Sequence, residues 1–456
     1  MKILLISTYE LGRQPFGLAS PAAWLRETRA DVVCVDTSRE PLAEGHIRGS
    51  ALIAFYVPMH TAARLAVELL AHVHRINPAA HICFYGLYAS VNESWLRRVG
   101  AQTILGGEFE SALLELAEQI AGQRSGDSAA TLPSISLARQ KFRIPDRSGL
   151  PPLEKYARVA MPNGEKCVSG YTEASRGCKH LCRHCPIVPV YNGVFRIVSP
   201  DVVLADIRQQ VVAGAHHITF GDPDFFNGIG HAIPIVTALH KEFPSLSYDV
   251  TIKIEHLLKH SEHLATLRET GCLFVTSAVE SVDDAVLEKL DKHHTRADFL
   301  EVLRRFRAEG LVLQPTFVPF TPWITLESYL DLLDVLHEND LIENVAPIQL
   351  AIRLLIPAGS RLLDLAEIRE GVDAFDQAAM VYPWKHADAR VDSLCEELQG
   401  IVHASEKLNR SRSRTFALIE EAARRAAGMS QIELERQQPV LTARATIPYL
   451  TEPWYC

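Results

Sequence analysis

Between Ser175 and Pro186 the chain reads SRGCKHLCRHCP and sets Cys178, Cys182 and Cys185 in a Cys-x3-Cys-x2-Cys spacing. Thiolates are soft ligands that select iron–sulfur clusters, zinc or copper(I). Most such centres take four protein ligands, yet the nearest further cysteine, Cys167, lies well upstream. Three thiolates leave one metal position for a group that is not protein, which is what a catalytic cluster needs. The same residues can also be read as a Cys3His zinc knuckle completed by His180 or His184. Nine cysteines, an odd number with three clustered, point to metal chemistry in a reducing compartment and away from a disulfide framework.

A chain of 456 residues, 47% hydrophobic and 22% charged, fits an ordinary globular protein of two or three domains. A net charge of −9 and a pI near 6.1 argue against a general nucleic-acid binder. No run of 18 apolar residues occurs, and the start MKILLIS continues into a polar loop, so neither a signal peptide nor a membrane span is expected. The expected address is the cytoplasm.

The cysteine spacing resembles that of the radical S-adenosylmethionine (SAM) enzymes. In that family three cysteines hold a [4Fe–4S] cluster whose fourth iron is chelated by SAM, and reductive cleavage of SAM yields a 5′-deoxyadenosyl radical. The resemblance implies SAM and one cluster as cofactors, Cys178, Cys182 and Cys185 as catalytic and metal-binding residues, and an electron donor such as flavodoxin or ferredoxin. The substrate implied is a small molecule or a peptide. Later segments support the likeness where a zinc knuckle would predict nothing.

Those segments must position the cysteines. Over 1–121, strands expected at 2–7, 31–36, 51–57, 82–85 and 102–105 alternate with helices at 20–28, 60–76 and 90–99. This alternation gives a doubly wound parallel sheet, with ligand loops at 7–17, 56–60, 86–90 and 106–108, beyond the strand carboxyl ends. The segment ILGGEFESALLELAEQI resembles the closing strand, glycine turn and helix of the cobalamin-binding domains that precede many radical SAM domains. The Asp-x-His-x-x-Gly motif that often supplies histidine to cobalt is absent. Cobalamin would have to bind without it; otherwise the domain keeps the fold and covers the active site. Residues 122–160 read as a linker and connecting segment, its polar part packed along the surface. From 161 to 365, successive β/α units, about six in all, suggest a partial (β/α)6 barrel. Its first strand ends just before the cysteines and its last spans 349–355. Residues 366–456 read as a mostly helical region with a flexible tail.

The strand end at Phe220-Gly221-Asp222 stands where the family has a Gly-Gly-Glu-like segment, so the resemblance assigns Gly221 and Asp222 to the SAM amino group. SAVESVDDAVLEKLDK resembles the ribose-contacting segment: Glu280 and Ser281, then a helix and a lysine. For Glu280 the competing reading is a capping role near the Asp283 turn. Arg353, in an otherwise apolar run, is costly unless paired or facing a cleft, and is a candidate for a SAM or substrate carboxylate. Asp224 and the strand-end acid Glu255 are candidate substrate contacts. Cys167 and Cys272 read as buried small side chains, and His216 and His217 as packing or surface residues.

The last segment, ARATIPYLTEPWYC, stops at Cys456 and resembles the tail of radical SAM proteins ending in Cys-Cys-Ala-Glu-Pro or Cys-selenocysteine-Ala-Glu-Pro. A stop at a UGA codon decoded as selenocysteine would explain the end, and DNA lacking an in-frame Ala-Glu-Pro would exclude it. Cys456 would then serve as a substrate or soft-atom contact. Relatives of that group are associated with transfer of the aminocarboxypropyl group of SAM to arsenic, but carry vicinal cysteines. Here Lys179-His180-Leu181 separates the first two. Three readings therefore stand: a radical SAM enzyme, an aminocarboxypropyl transferase, and a zinc or iron–sulfur scaffold without catalysis.

Overall fold

The computed structural model describes residues 1–122, 132–429 and 447–451. Apolar runs too short for helices form β1 (Lys2–Ser7), β2 (Asp31–Asp36), β3 (Leu52–Tyr56), β4 (His81–Tyr85) and β5 (Thr103–Gly107). All pair in parallel and, with β6 (Ile135–Ser136), give a six-stranded sheet of order β2-β1-β3-β4-β5-β6. Helices cover both faces, so the strands are apolar throughout rather than alternating. The helix His60–Ile76 turns Ala62, Ala63, Ala66, Leu70 and Val73 inward, the spacing of a single buried stripe. One helix expected at 90–99 is two, Leu87–Val91 and Glu93–Arg98, meeting at Asn92.

The second sheet contains β7 (Arg158–Ala160), β8 (Lys166–Thr172), β11 (His217–Phe220), β12 (Ser247–Thr251), β13 (Cys272–Glu280), β14 (Leu313–Phe317) and β15 (Tyr449–Leu450). Between β8 and β11 lies a ribbon of β9 (Ser175–Gly177) and β10 (Phe195–Ile197). The order is β14-β13-β12-β11-β8-β7-β15, with the five central crossover strands parallel and β7 and β15 added antiparallel at one edge. Helices such as Pro200–Val212, Ile229–Glu242, Arg296–Glu309 and Leu326–Glu338 pack on the outside. Capping boxes at Thr295/Asp298 and Thr325/Ser328 start two of them. The fold is thus the expected doubly wound domain, partial barrel and helical C-terminal region, the last built on Ala389–Lys407 and Arg412–Ala426.

Four expectations need correction. The linker does more than run along the surface: β6 extends the first sheet, and Arg147 is buried with two bonds to Asp206 at 2.8 and 2.9 Å. The strand expected at 349–355 is a 3-10 turn, Pro347–Leu350, followed by one bridge between Phe320 and Arg353; the Phe317 amide of β14 is taken instead by the Gln349 side chain, whose Oε1 accepts at 3.1 Å. The strand before Glu255 stops at Thr251, and Glu255 lies in the first turn of the helix Ile254–Lys259. The tail is ordered where it is described: Tyr449 and Leu450 pair with Ala160 and Val159, and Gln314 Nε2 donates to the Pro448 carbonyl at 2.6 Å. Residues 447–451 therefore span from one edge of the open barrel toward the other, while Cys456 lies outside the described residues.

Candidate active site

β8 ends at Thr172, and the chain turns through Gly177 into the cysteines. Gly177 has φ +75°, and a Cβ there would lie 2.4 Å from the Tyr191 ring and 2.5 Å from the Val194 carbonyl. The three thiols are close enough to feel one another's charge. Burial pushes the Cys178 thiol up and the Cys185 thiol to about 12. Such thiols ionise only when a positive partner arrives. Two ammonium groups already point there. Lys253 Nζ lies 3.8 Å from Cys182 Sγ, and buried Lys292 lies within electrostatic reach of Cys182 and Cys185. Asn227 Oδ1 accepts from the Lys179 amide at 3.2 Å and lies 3.9 Å from Cys178 Sγ. Three soft ligands in a buried, cation-flanked loop fit a thiolate-held iron cluster.

Around this loop the residues expected from sequence fall into two groups. Asp222 Oδ2 accepts from the Ala174 amide at 2.9 Å and Oδ1 from Ser175 Oγ at 2.5 Å. Burial nevertheless pushes its carboxyl up to about 7. Gly221 beside it is required by packing, since a Cβ would sit 1.8 Å from Tyr171 Oη. Gly221→Ala is expected to cost about 1–3 kcal/mol by overpacking, read as a lowered denaturant midpoint; an unchanged midpoint would mean that Tyr171 moves freely. Glu280 adopts φ +69°, a strained conformation for a non-glycine residue. This turns its carboxylate to His184 Nε2 at 3.0 Å and Lys292 Nζ at 3.3 Å. Burial would raise its pKa, but Lys292 and His184 hold it at about 2. Helix capping falls to its neighbours: Ser281 Oγ accepts from the Asp283 amide at 3.0 Å, and Asp283 Oδ1 from the Ala285 amide at 2.9 Å.

Asp224 is fully buried behind the loop, its Oδ2 2.7 Å from His256 Nδ1 and 3.4 Å from His180 Nε2. Burial would raise it, yet the two imidazoles hold it at about 2. Glu255 reaches the other His180 nitrogen at 3.5 Å and Lys253 Nζ at 3.5 Å. Both acids thus orient the histidine inside the cysteine motif. Cys178, His180 and Asp224 also form a group whose ligand atoms lie within 4.8 Å of one another. Arg353 is not brought to this site. Its guanidinium donates to Asp392 Oδ1 and the Trp384 carbonyl, each at 2.7 Å, and stacks 3.6 Å from the Trp384 ring centroid, pinning the C-terminal region to the barrel.

A cavity of about 760 Å³ opens among the barrel strands and reaches the cysteine loop at Ile187. Thr251, Thr276, Thr316, Gln314 and Asp249 line it, and Gly221 and Asp222 also border it. Closed barrels fill this space with branched apolar side chains; here hydroxyls and carboxyls stand beside Phe220, Phe274 and Ile348, a mixed lining suited to a ligand with polar groups. His217, expected as packing or surface, is a packing residue: it is buried behind the cavity wall, Nε2 2.8 Å from Asp249 Oδ1, which also accepts from Thr219 Oγ1 at 2.6 Å. Lys253 and Asp249 carry no role in the sequence reading, and His184 enters it only as an alternative zinc ligand. The period-two placement of Ser247, Asp249 and Thr251 on one face of β12 is the signal that points to Asp249.

Residues 172–339 match the radical SAM superfamily. The match makes residues 172–339 a radical SAM domain. SAM and an iron–sulfur group are the cofactors that this likeness supports. The chain is 24% identical over 212 residues to the tRNA-2-methylthio-N(6)-dimethylallyladenosine synthase of Desulfosudis oleivorans, covering 44% of this chain and 45% of that protein. It is 23% identical to the ribosomal protein uS12 methylthiotransferase RimO of Geobacter sulfurreducens over 39% of this chain and 41% of that one. The chain thus spans less than half the length of these curated relatives. Among solved structures, the cobalamin-dependent radical SAM enzyme OxsB, with aqua-cobalamin and SAM bound, superposes with a TM-score of 0.70 at 15% identity, covering 93% of this chain and 71% of that one. The methyltransferase TsrM of Kitasatospora setae gives 0.61 at 16% identity over 82% and 79%. These likenesses establish the shared fold, first domain included. Among the described residues no helix is long and apolar enough to cross a membrane.

Proposed function

We propose that Cys178, Cys182 and Cys185 hold one [4Fe–4S] cluster and that the chain reductively cleaves SAM to modify a small polar molecule or peptide in the barrel lumen. The observation that carries this is the gathering of three thiols, those of Cys178 and Cys182 buried, beside Lys253 and Lys292 on a loop whose next residues reach, at Ile187, a cavity of about 760 Å³. A cluster held by these three thiolates would supply the electron for reductive cleavage of SAM, drawn from a flavodoxin- or ferredoxin-type donor. The protein's own residues do the rest. Lys253 and Lys292 offset the negative charge of the thiolates, and Glu280 fixes Lys292 and His184. Asp222 faces the lumen as the acceptor for the SAM ammonium, and the threonine-lined wall below leaves room for the substrate.

Electron paramagnetic resonance of the reduced, reconstituted protein tests this reading. The spectrum is expected to change when SAM is added, because three thiolates would leave one metal position open to it. An unchanged spectrum, or a zinc-loaded protein, would refute it.

Asp222 makes a separate prediction. Its pKa is raised from 3.8 to about 7 in the folded chain, so the folded state holds a proton that the unfolded state has released. The stability this gives is complete below pH about 4 and is lost as pH rises through about 7. Asp222→Asn is expected to flatten the thermal-melting profile over that window. A parallel profile would show that Asp222 is already ionised.

A further inference from the structure

Ligands of doubly wound sheets sit beyond the carboxyl ends of the strands. In a domain with the fold of OxsB and TsrM, that crevice is where cobalamin would have to enter. In this chain the crevice is filled. Beyond β3, the Tyr56 ring lies so close under the helix Phe16–Arg26 that a Cβ on Gly17 would be 2.1 Å from it. Tyr56, Tyr85 and Phe109 form one aromatic stack, with ring centroids 5.0–6.0 Å apart, and Tyr85 Oη donates to the Gly17 carbonyl at 2.8 Å. Beyond β5, a Cβ on Gly107 would lie 2.2 Å from the Ser136 carbonyl. On the far side, His60 Nε2 lies 2.5 Å from the Ala379 carbonyl, and Met380 is buried in the first domain's core with Val57 and Tyr88. These residues do not fit a corrin with its nucleotide tail.

What crosses the interface instead is charge. Arg176, two residues before Cys178, is buried, with Nη2 2.7 Å from Glu110 Oε1, Nη1 2.9 Å from Glu110 Oε2 and Nε 2.6 Å from Glu173 Oε2; Glu108 is 3.6 Å away. Glu110 is itself held by Ser20 Oγ at 2.6 Å and Gln140 Nε2 at 2.7 Å. Tyr191, whose ring closes over Gly177, donates to Glu108 Oε1 at 3.1 Å. Both ends of the cysteine loop are therefore tied to the Glu108–Glu110 turn that follows β5. We propose that the first domain keeps the cobalamin-domain fold without holding cobalamin, and that it braces the cysteine loop through the Glu110–Arg176 pair, Arg176 being a positioning residue for the cluster. The bracing half rests on the cluster reading above; the cobalamin half does not.

The test has two arms on the full chain. In the first, the protein is mixed with aqua-cobalamin and gel-filtered. No corrin absorbance is expected to travel with the protein, and one equivalent retained would overturn the first half. In the second, Arg176→Lys and Glu110→Gln are reconstituted beside the parent, and circular dichroism identifies which variants are folded. Folded variants are expected to retain severalfold less iron and to give an altered reduced-cluster spectrum, with Glu110→Gln, which removes one charge and keeps the shape, the milder. Parent-like iron and spectra in both would overturn the second half. Should the parent itself take up no cluster, the cluster reading fails instead, and the cobalamin arm still reports.

Discussion

Replacing any one of Cys178, Cys182 and Cys185 with alanine is expected to abolish cluster retention and, with it, reductive cleavage of SAM. Three thiolates leave one metal position for SAM; two leave a second position that no described neighbour offers a thiolate to fill. Loss of a residue that merely supports a ligand costs about 10–100-fold, and loss of the ligand itself should exceed this. Iron per chain after reconstitution, followed by deoxyadenosine formation, reads the effect. Cys167→Ala and Cys272→Ala are the controls. Cys167 pairs opposite Val159 at the start of β8, and Cys272 Sγ donates to the Phe274 carbonyl at 3.3 Å at the start of β13, both at strand ends opposite to the cysteine loop. Both should keep their iron. Iron lost equally in the controls would mean that the fold, not ligation, had failed.

Glu280→Ala is expected to destabilise the protein by about 3–5 kcal/mol, because it leaves the buried Lys292 ammonium unpaired. Adding Lys292→Met should recover most of that stability, since an apolar chain of similar length needs no partner. It should not restore activity, because His184 has still lost its acceptor and the thiolates have lost a cation. Urea midpoints of the two single variants and the double variant check this. Single-variant losses that simply add in the double variant would show that Glu280 and Lys292 do not depend on each other.

The parts of this molecule legible in sequence are those written in local pattern. The cysteine spacing, the alternation of apolar runs with amphipathic helices, and the strand ends at Thr172, Phe220 and Glu280 all follow from neighbours a few residues apart. What stayed hidden depends on distant partners. Arg353 in an apolar run signals a need for pairing, but nothing local says that Asp392 and Trp384 meet it rather than a ligand. Arg176 stands beside the cysteines in plain view, yet its partner Glu110 comes from another domain. The linker's β6 is two residues long and polar at one position, too short for any periodicity. Asp224 and Glu255 were placed near the chemistry, but their role of gripping His180 requires the helix that begins at Ile254.

The most direct test of the central claim is to reconstitute the protein anaerobically, count its metals, add SAM and dithionite, and identify the nucleoside by mass. About four irons per chain and 5′-deoxyadenosine are the expected result. Methylthioadenosine in its place would mean aminocarboxypropyl transfer, and zinc without turnover would mean a structural knuckle. Either outcome would contradict the account given for Cys178, Cys182 and Cys185.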